Sequence, residues 1–188
     1  MDRNKKILVF APHGDDCEIG MGGTVANFIN EGYEVKIVCA IIPAEDIKGE
    51  HHDKRKSQRW KETEKAAQIL GADLEILDIN PYEFSYNREH VKIFDDIVRS
   101  FDPCKIFSCW EHDSHQDHKI LHNLVISATR KNRNSLYMYE TMLPGGISTV
   151  SFNPQLFINI SNTIDVKKRS IDCYESVFKG TDYSDSVI

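Results

Sequence analysis

Residues 7–24 read ILVFAPHGDDCEIGMGGT, which sets an imidazole, His13, beside two carboxylates, Asp15 and Asp16, at the end of an apolar run. Imidazole plus carboxylate is a mixed nitrogen and oxygen donor set, suited to Zn²⁺ and also to Fe²⁺ or Mn²⁺. Consecutive residues in a turn between strand and helix cannot point the same way, so Asp15 and Asp16 are expected to have different jobs. One can bind a metal while the other faces substrate and serves as a base. The plainer role is that the aspartates cap the following helix and His13 packs in a loop. The HxDD pattern by itself does not separate the two. Gly20, Gly22 and Gly23 fall short of the G-x-G-x-x-G spacing of a dinucleotide site, and two carboxylates would repel a pyrophosphate. These glycines read as a flexible lead into the helix.

A second cluster, HDSHQDH, brings His112, His115, Asp117 and His118 into residues 112–118. One nitrogen from it would complete three protein ligands and leave a position open for water, the pattern of a catalytic rather than a structural zinc. His118, at the start of a helix, is the expected ligand. His115 lies one turn earlier, near the open position, and Asp117 is placed to hold a histidine in one tautomer. A polar loop with incidental histidines accounts well for His51, His52, His112 and His122, but poorly for HxDH facing HxDD.

The elements that must position these clusters alternate. Apolar runs predict strands over 6–11, 34–40, 74–79, 105–110 and 136–139, with a further strand over 155–160. Helical spacing predicts helices over 22–32, 54–70, 87–101, 118–131 and 165–177. Such alternation argues for an α/β domain, a Rossmann-like three-layer α/β/α arrangement with a mostly parallel sheet. In the common 3-2-1-4-5 order the first and fourth strands are neighbours, and the crevice outside their carboxyl ends is where such folds bind ligands. The two clusters, roughly 100 residues apart, leave those two strand ends and should meet there.

With 188 residues, 40% hydrophobic and 28% charged, the chain suits one globular domain over 1–188. A net charge of -6 leaves no broad basic footprint for nucleic acid. The basic run KRKSQRWK at 54–61 is flanked by acidic residues and reads as a solvated helix face. No apolar run approaches the ~20 residues of a membrane span. The N-terminus lacks a signal-peptide pattern, so a cytoplasmic location is expected. Five scattered cysteines without CxxC spacing argue against disulfides and a cysteine zinc site.

PHGDDCEIGMGGT and HQDH resemble the paired motifs of the PIG-L/LmbE-like family of zinc-dependent N-acetylglucosaminyl deacetylases. RWKETEKAAQILG at 59–71, YMYET at 137–141 and LFINISNTIDVKKRSIDCY at 156–174 extend the resemblance over nearly the whole chain. It implies that His13, Asp16 and His118 hold the zinc and that Asp15 is the general base. His115 would polarise the carbonyl or donate a proton, Asp117 would support it, and Arg59 would reach substrate oxygens. It further implies a small-molecule N-acetylated sugar or sugar conjugate as substrate. Zn²⁺ would be the cofactor, with Fe²⁺ as the alternative in the cell, and the resemblance admits a homo-oligomer.

This chain departs from the pattern at Gly14, where proline is usual, and at Asp113, where some members carry tyrosine. Many relatives continue for some tens of residues, so the chain is expected to be a short member or a C-terminally truncated one. Two other readings stand beside the deacetylase. A two-metal phosphoesterase needs more ligands than one good site supplies. A degenerate member would bind a sugar or a partner without catalysis. The pocket walls are expected from 42–53, 80–88 and 141–153, with Tyr82, Phe84 and Tyr86 as candidates to stack on a sugar and 167–169 as a solvated basic face.

Overall fold

The computed structural model describes residues 5–42, 52–77, 79–131, 134–141 and 150–186 and, at 52–57, the backbone alone. Five strands, β1 (Lys6–Ala11), β2 (Glu34–Cys39), β3 (Asp73–Ile76), β4 (Lys105–Cys109) and β5 (Ser135–Tyr139), form one parallel sheet in the order β3-β2-β1-β4-β5. The helices are α1 (Asp16–Asn30), α2 (His52–Leu70), α3 (Arg88–Phe101), α4 (Gln116–Thr129), α5 (Ile164–Ile171) and the short α6 (Glu175–Phe178) and α7 (Tyr183–Ser186). Helices α1, α2 and α5 pack with one another, and α3 packs with α4. Right-handed crossovers that reverse direction at β1 put these two groups on opposite faces of the sheet.

The core lies along β1, where Ile7, Leu8, Val9 and Phe10 are fully buried. A strand covered on both faces needs such a continuous apolar run. β1 pairs with β2 along its whole length, from Lys6↔Glu34 to Ala11↔Cys39. Its pairing with β4 runs only from Ile7↔Lys105 to Val9↔Phe107. Beyond Val9 the two strands part, and the crevice opens between their carboxyl ends.

Local chemistry sets the helix ends. The Asn87 side chain accepts a 2.8 Å hydrogen bond from the His90 N–H to start α3, and Asp102, in the left-handed region at φ 50°, ends it before Pro103. Gly71, at φ 81°, stops α2.

Several expectations need correction. Helix α1 begins at Asp16, six residues earlier than the sequence predicts, and encloses the glycines. They are a packing face rather than a flexible lead. A Cβ on Gly20 would sit 2.8 Å from the Glu140 carbonyl oxygen, and one on Gly23 would sit 2.7 Å from Ile160. Residues 155–160 form no strand. Ile160 instead packs on the glycine face of α1, the Asn27 side chain donates to the Asn159 carbonyl at 2.8 Å, and Leu156 and Phe157 are exposed.

The last long helix is broken, since α5 ends at Ile171 and α6 starts at Glu175. Between them Tyr174 leaves helical geometry and buries its side chain completely. The basic stretches are not uniformly solvated either, because Arg59 and Lys167 are both buried. Phe84 is buried as well, while Tyr82 is exposed. Residues 43–51 and 142–149, most of two expected pocket walls, lie outside the described residues.

Candidate metal centre

The turn after β1 is short, so α1 starts with Asp16 directly beneath His13. The His13 backbone N–H donates to Asp16 Oδ2 at 2.9 Å, and His13 Nδ1 lies 3.0 Å from the same oxygen. From across the crevice, His118, in the first turn of α4, places Nε2 3.3 Å from Asp16 Oδ2. The donor atoms of His13, Asp16 and His118 all lie within 4.8 Å of one another, and all three residues are buried. Bonds of about 2.0–2.2 Å set tetrahedral ligands roughly 3.4 Å apart. Two imidazoles and one carboxylate at this spacing fit one divalent cation with a position left for water or substrate.

Each of the two histidines gives its second nitrogen to another carboxylate. His13 Nε2 lies 3.1 Å from Asp117 Oδ2, and His118 Nδ1 lies 2.8 Å from Asp113 Oδ2. Such outer carboxylates fix the tautomer and ring orientation of metal-binding histidines. Thr141, just after β5, donates to the same Asp113 oxygen at 2.8 Å. Sequence reasoning missed Asp113 and Thr141. The signal for Asp113 was available: a histidine expected to bind a metal calls for such a partner, and Asp113 lies five residues before His118.

Electrostatics follow from this crowding. Burial lowers the pKa of His13, but hydrogen bonds to Asp117 and Asp16, with the charges of Asp16 and Asp15, outweigh it and raise the value to about 9. Burial also opposes the charged form of His118, while Asp16's charge and the hydrogen bonds to Asp113 and Asp16 raise it to about 10. Burial would push Asp16 up, yet the charge and hydrogen bond of His118, with those of His13, hold it far below the usual carboxylate range. Without a cation, the two imidazoles therefore carry the charge that a metal would bring.

His115 sits at the N-cap of α4 with its side chain 44% exposed. Its Nδ1 accepts a 3.1 Å hydrogen bond from the Asp117 N–H, which leaves Nε2 as the protonated nitrogen of the neutral ring. Burial and then the charges on His13 and His118 lower its pKa. His13, His115 and Asp117 form a second donor group that shares His13 with the first. Asp15 is buried and takes no part in either group. Its Oδ2 lies 2.8 Å from Arg59 Nη2, so the structure places Arg59 against Asp15. His112 and His122 face Glu111 outside both donor groups.

The family described as PIG-L, GlcNAc-PI de-N-acetylase, matches residues 8–129, from β1 through α4. The chain belongs to that family. Two relatives match most of the chain. Diacetylchitobiose deacetylase of Thermococcus kodakarensis is 29% identical over 93% of this chain and 70% of its own length. 4-Oxalmesaconate hydratase of Pseudomonas putida is 26% identical over 90% of this chain and 72% of its own.

Among solved structures, the N,N′-diacetylchitobiose deacetylase from Pyrococcus horikoshii superposes with a TM-score of 0.79 at 26% identity, covering 94% of this chain and 72% of that one. The 4-carboxy-2-hydroxymuconate hydratase GalB of P. putida shares the fold, with a TM-score of 0.82 at 24% identity over 97% of this chain and 82% of that one. Family membership and the donor cluster together support a metal-dependent deacetylase or a related activity. Among the described residues no helix is long and apolar enough to cross a membrane.

Proposed function

We propose that this protein removes the acetyl group from an N-acetylated amino sugar of the N-acetylglucosamine type. In this reading His13, Asp16 and His118 hold one Zn²⁺, or Fe²⁺ in the cell. The observation that carries it is that two buried imidazoles each aim one nitrogen at Asp16 Oδ2 and the other at an outer carboxylate. When bound, the cation supplies polarisation of the acetyl carbonyl and a water whose pKa falls from 15.7 to about 7.

The protein's own groups do the rest. Asp15, outside the donor cluster, accepts the proton of the attacking water. His115, with Nδ1 occupied by the Asp117 N–H, donates a hydrogen bond from its neutral ring's Nε2–H to the carbonyl oxygen as charge builds there. Asp117 and Asp113 keep His13 and His118 in the tautomers that leave one nitrogen for the metal. The proton held by Asp15 then passes to the leaving amine, giving acetate and a free amino sugar.

The hydratase relative supports a second reading, in which the same site adds water to an unsaturated polycarboxylate. The charge around the site favours the acetamide. Among the described residues Asp15, Asp16, Asp113 and Asp117 line it, and Arg59 is tied to Asp15. That lining suits a neutral substrate better than an anionic one.

Acetate release from N-acetylglucosamine and N,N′-diacetylchitobiose by protein carrying one metal per chain tests the proposal. Asp15→Ala should keep the metal and lose on the order of 10²–10⁴-fold in rate. Full activity in that variant would end the assignment of the base, and two metals per chain would favour a phosphoesterase.

A further inference from the structure

The segment leading to α5 has the composition of a strand and no strand to pair with. Between Glu140 and Asp165 the sequence carries no charged residue, in a chain that is 28% charged. Its large apolar side chains face solvent: Val150 is 47% exposed, Leu156 56%, Phe157 81% and Ile158 36%. Residues 151–160 take no regular secondary structure. Among the described residues, no hydrogen bond involves the backbone of 151–158.

The strip is held at both ends. Phe152 packs edge-on against Trp110, just after β4, with ring centroids 5.3 Å apart. At the other end the Asn27 side chain donates to the Asn159 carbonyl at 2.8 Å, and Ile160 rests on the glycine face of α1. Residues anchored in this way have less freedom to lose when a partner orders them. Pro154 stands just ahead of Gln155, where a missing N–H costs a strand nothing.

Unpaired N–H and C=O groups beside apolar side chains are a template for strand addition, and proteins normally blunt such edges with charge. Here that device is missing. The lack of charge also selects the partner. An acidic or basic peptide finds no countercharge on this strip. A second copy meets it with no like charges opposed, although each chain carries a net charge of -6. Around a two-fold axis the free donors of one strip face the free acceptors of the other.

We propose that residues 150–158 are a self-association surface, where two copies of this chain pair their strips antiparallel about a two-fold axis. Phe157 then lies opposite its own copy, and Leu156 opposite Ile158 of the partner subunit. Residues 155–158, part of the strand that the sequence predicts, become a strand in the dimer. The pairing does not depend on the reaction assigned to the metal centre.

Sedimentation equilibrium over about 1–100 µM tests this. Wild-type protein should pass from monomer to dimer, because a small interface binds on the order of micromolar. Phe157→Lys sets two like charges across the axis and should raise the dissociation constant about 10²-fold or more. Ile126→Lys, at another exposed apolar residue, on α4, should leave it within about twofold. Both side chains are exposed, so the monomer's Tm should hardly move in either variant. Hydrogen exchange gives the second readout. Amides of 155–158 should slow as wild-type concentration rises and stay fast in Phe157→Lys.

A monomer throughout the range would overturn the proposal. A dimer that Phe157→Lys leaves intact would place the interface elsewhere. A dimer whose 155–158 amides exchange as fast as in the monomer would rule out strand pairing.

Discussion

The two halves of the centre are built differently. The HGDD turn is buried throughout, with His13 and Asp15 each 8% exposed and Asp16 2%, and Arg59 and Thr63 of α2 lie against it. The loop after β4 is more open, and His115 shows nearly half its side chain to solvent. The difference divides the labour. In the proposed chemistry the closed half fixes what must not move, which is the two proposed ligands His13 and Asp16 and the proposed base Asp15. The open half keeps the proposed ligand His118 buried and leaves His115 open to solvent.

The largest break in this comparison should come from His118→Ala or His13→Ala. Either should abolish both metal binding, read by elemental analysis, and acetate release. Metal retained at one per chain would remove that residue from the ligand set. His115→Ala should sharpen the contrast, with metal content kept and kcat lower by about 10²–10³-fold, as for the loss of one oxyanion donor. A variant that lost metal instead would make His115 a ligand. Asp113→Ala should act on the ligand behind it, weakening metal affinity about 10–100-fold in a chelator competition while KM changes little.

The remaining expected effect is a pH trend in stability. Without metal, His13 and His118 have pKa values raised from 6.5 to about 9 and about 10. Their contribution is full below 6.5 and is lost as pH rises through 9 to 10. Asp16 is held below its ordinary 3.8, so its contribution is present above 3.8 and is lost on acidification. A cation replaces the two imidazole protons. The gain in Tm on adding metal should therefore grow between pH 6.5 and pH 10. A gain that shrinks over that range would show that the two imidazoles are not its ligands.

Much of this was legible in residue order. Parallel strands buried on both faces announce themselves as apolar runs, and β1, β2 and β4 lie within a residue or so of expectation. The strand order followed, and with it the meeting of the two motifs. What was not legible depends on contacts between distant residues. Glycine disfavours helix locally, so α1 was expected late; only the approach of Tyr139, Glu140 and Ile160 explains why Gly20 and Gly23 are needed inside it. The LFINI run has strand composition, but Ile160 is taken by α1. Nothing in the order of residues shows that Tyr174 turns inward to Arg59.

The hydrogen bond between His13 and Asp117 joins positions 104 residues apart in the chain. A cation held by His13, Asp16 and His118 would tie the same two stretches far more tightly. To the unfolded chain, such a tie is a closed loop. A covalent link around a loop of roughly 100 residues is worth about 5 kcal/mol in the chain-entropy description. The ion that serves the chemistry would then also act as a reversible staple between the two sides of the sheet, on a seam where β1 and β4 share only three paired positions.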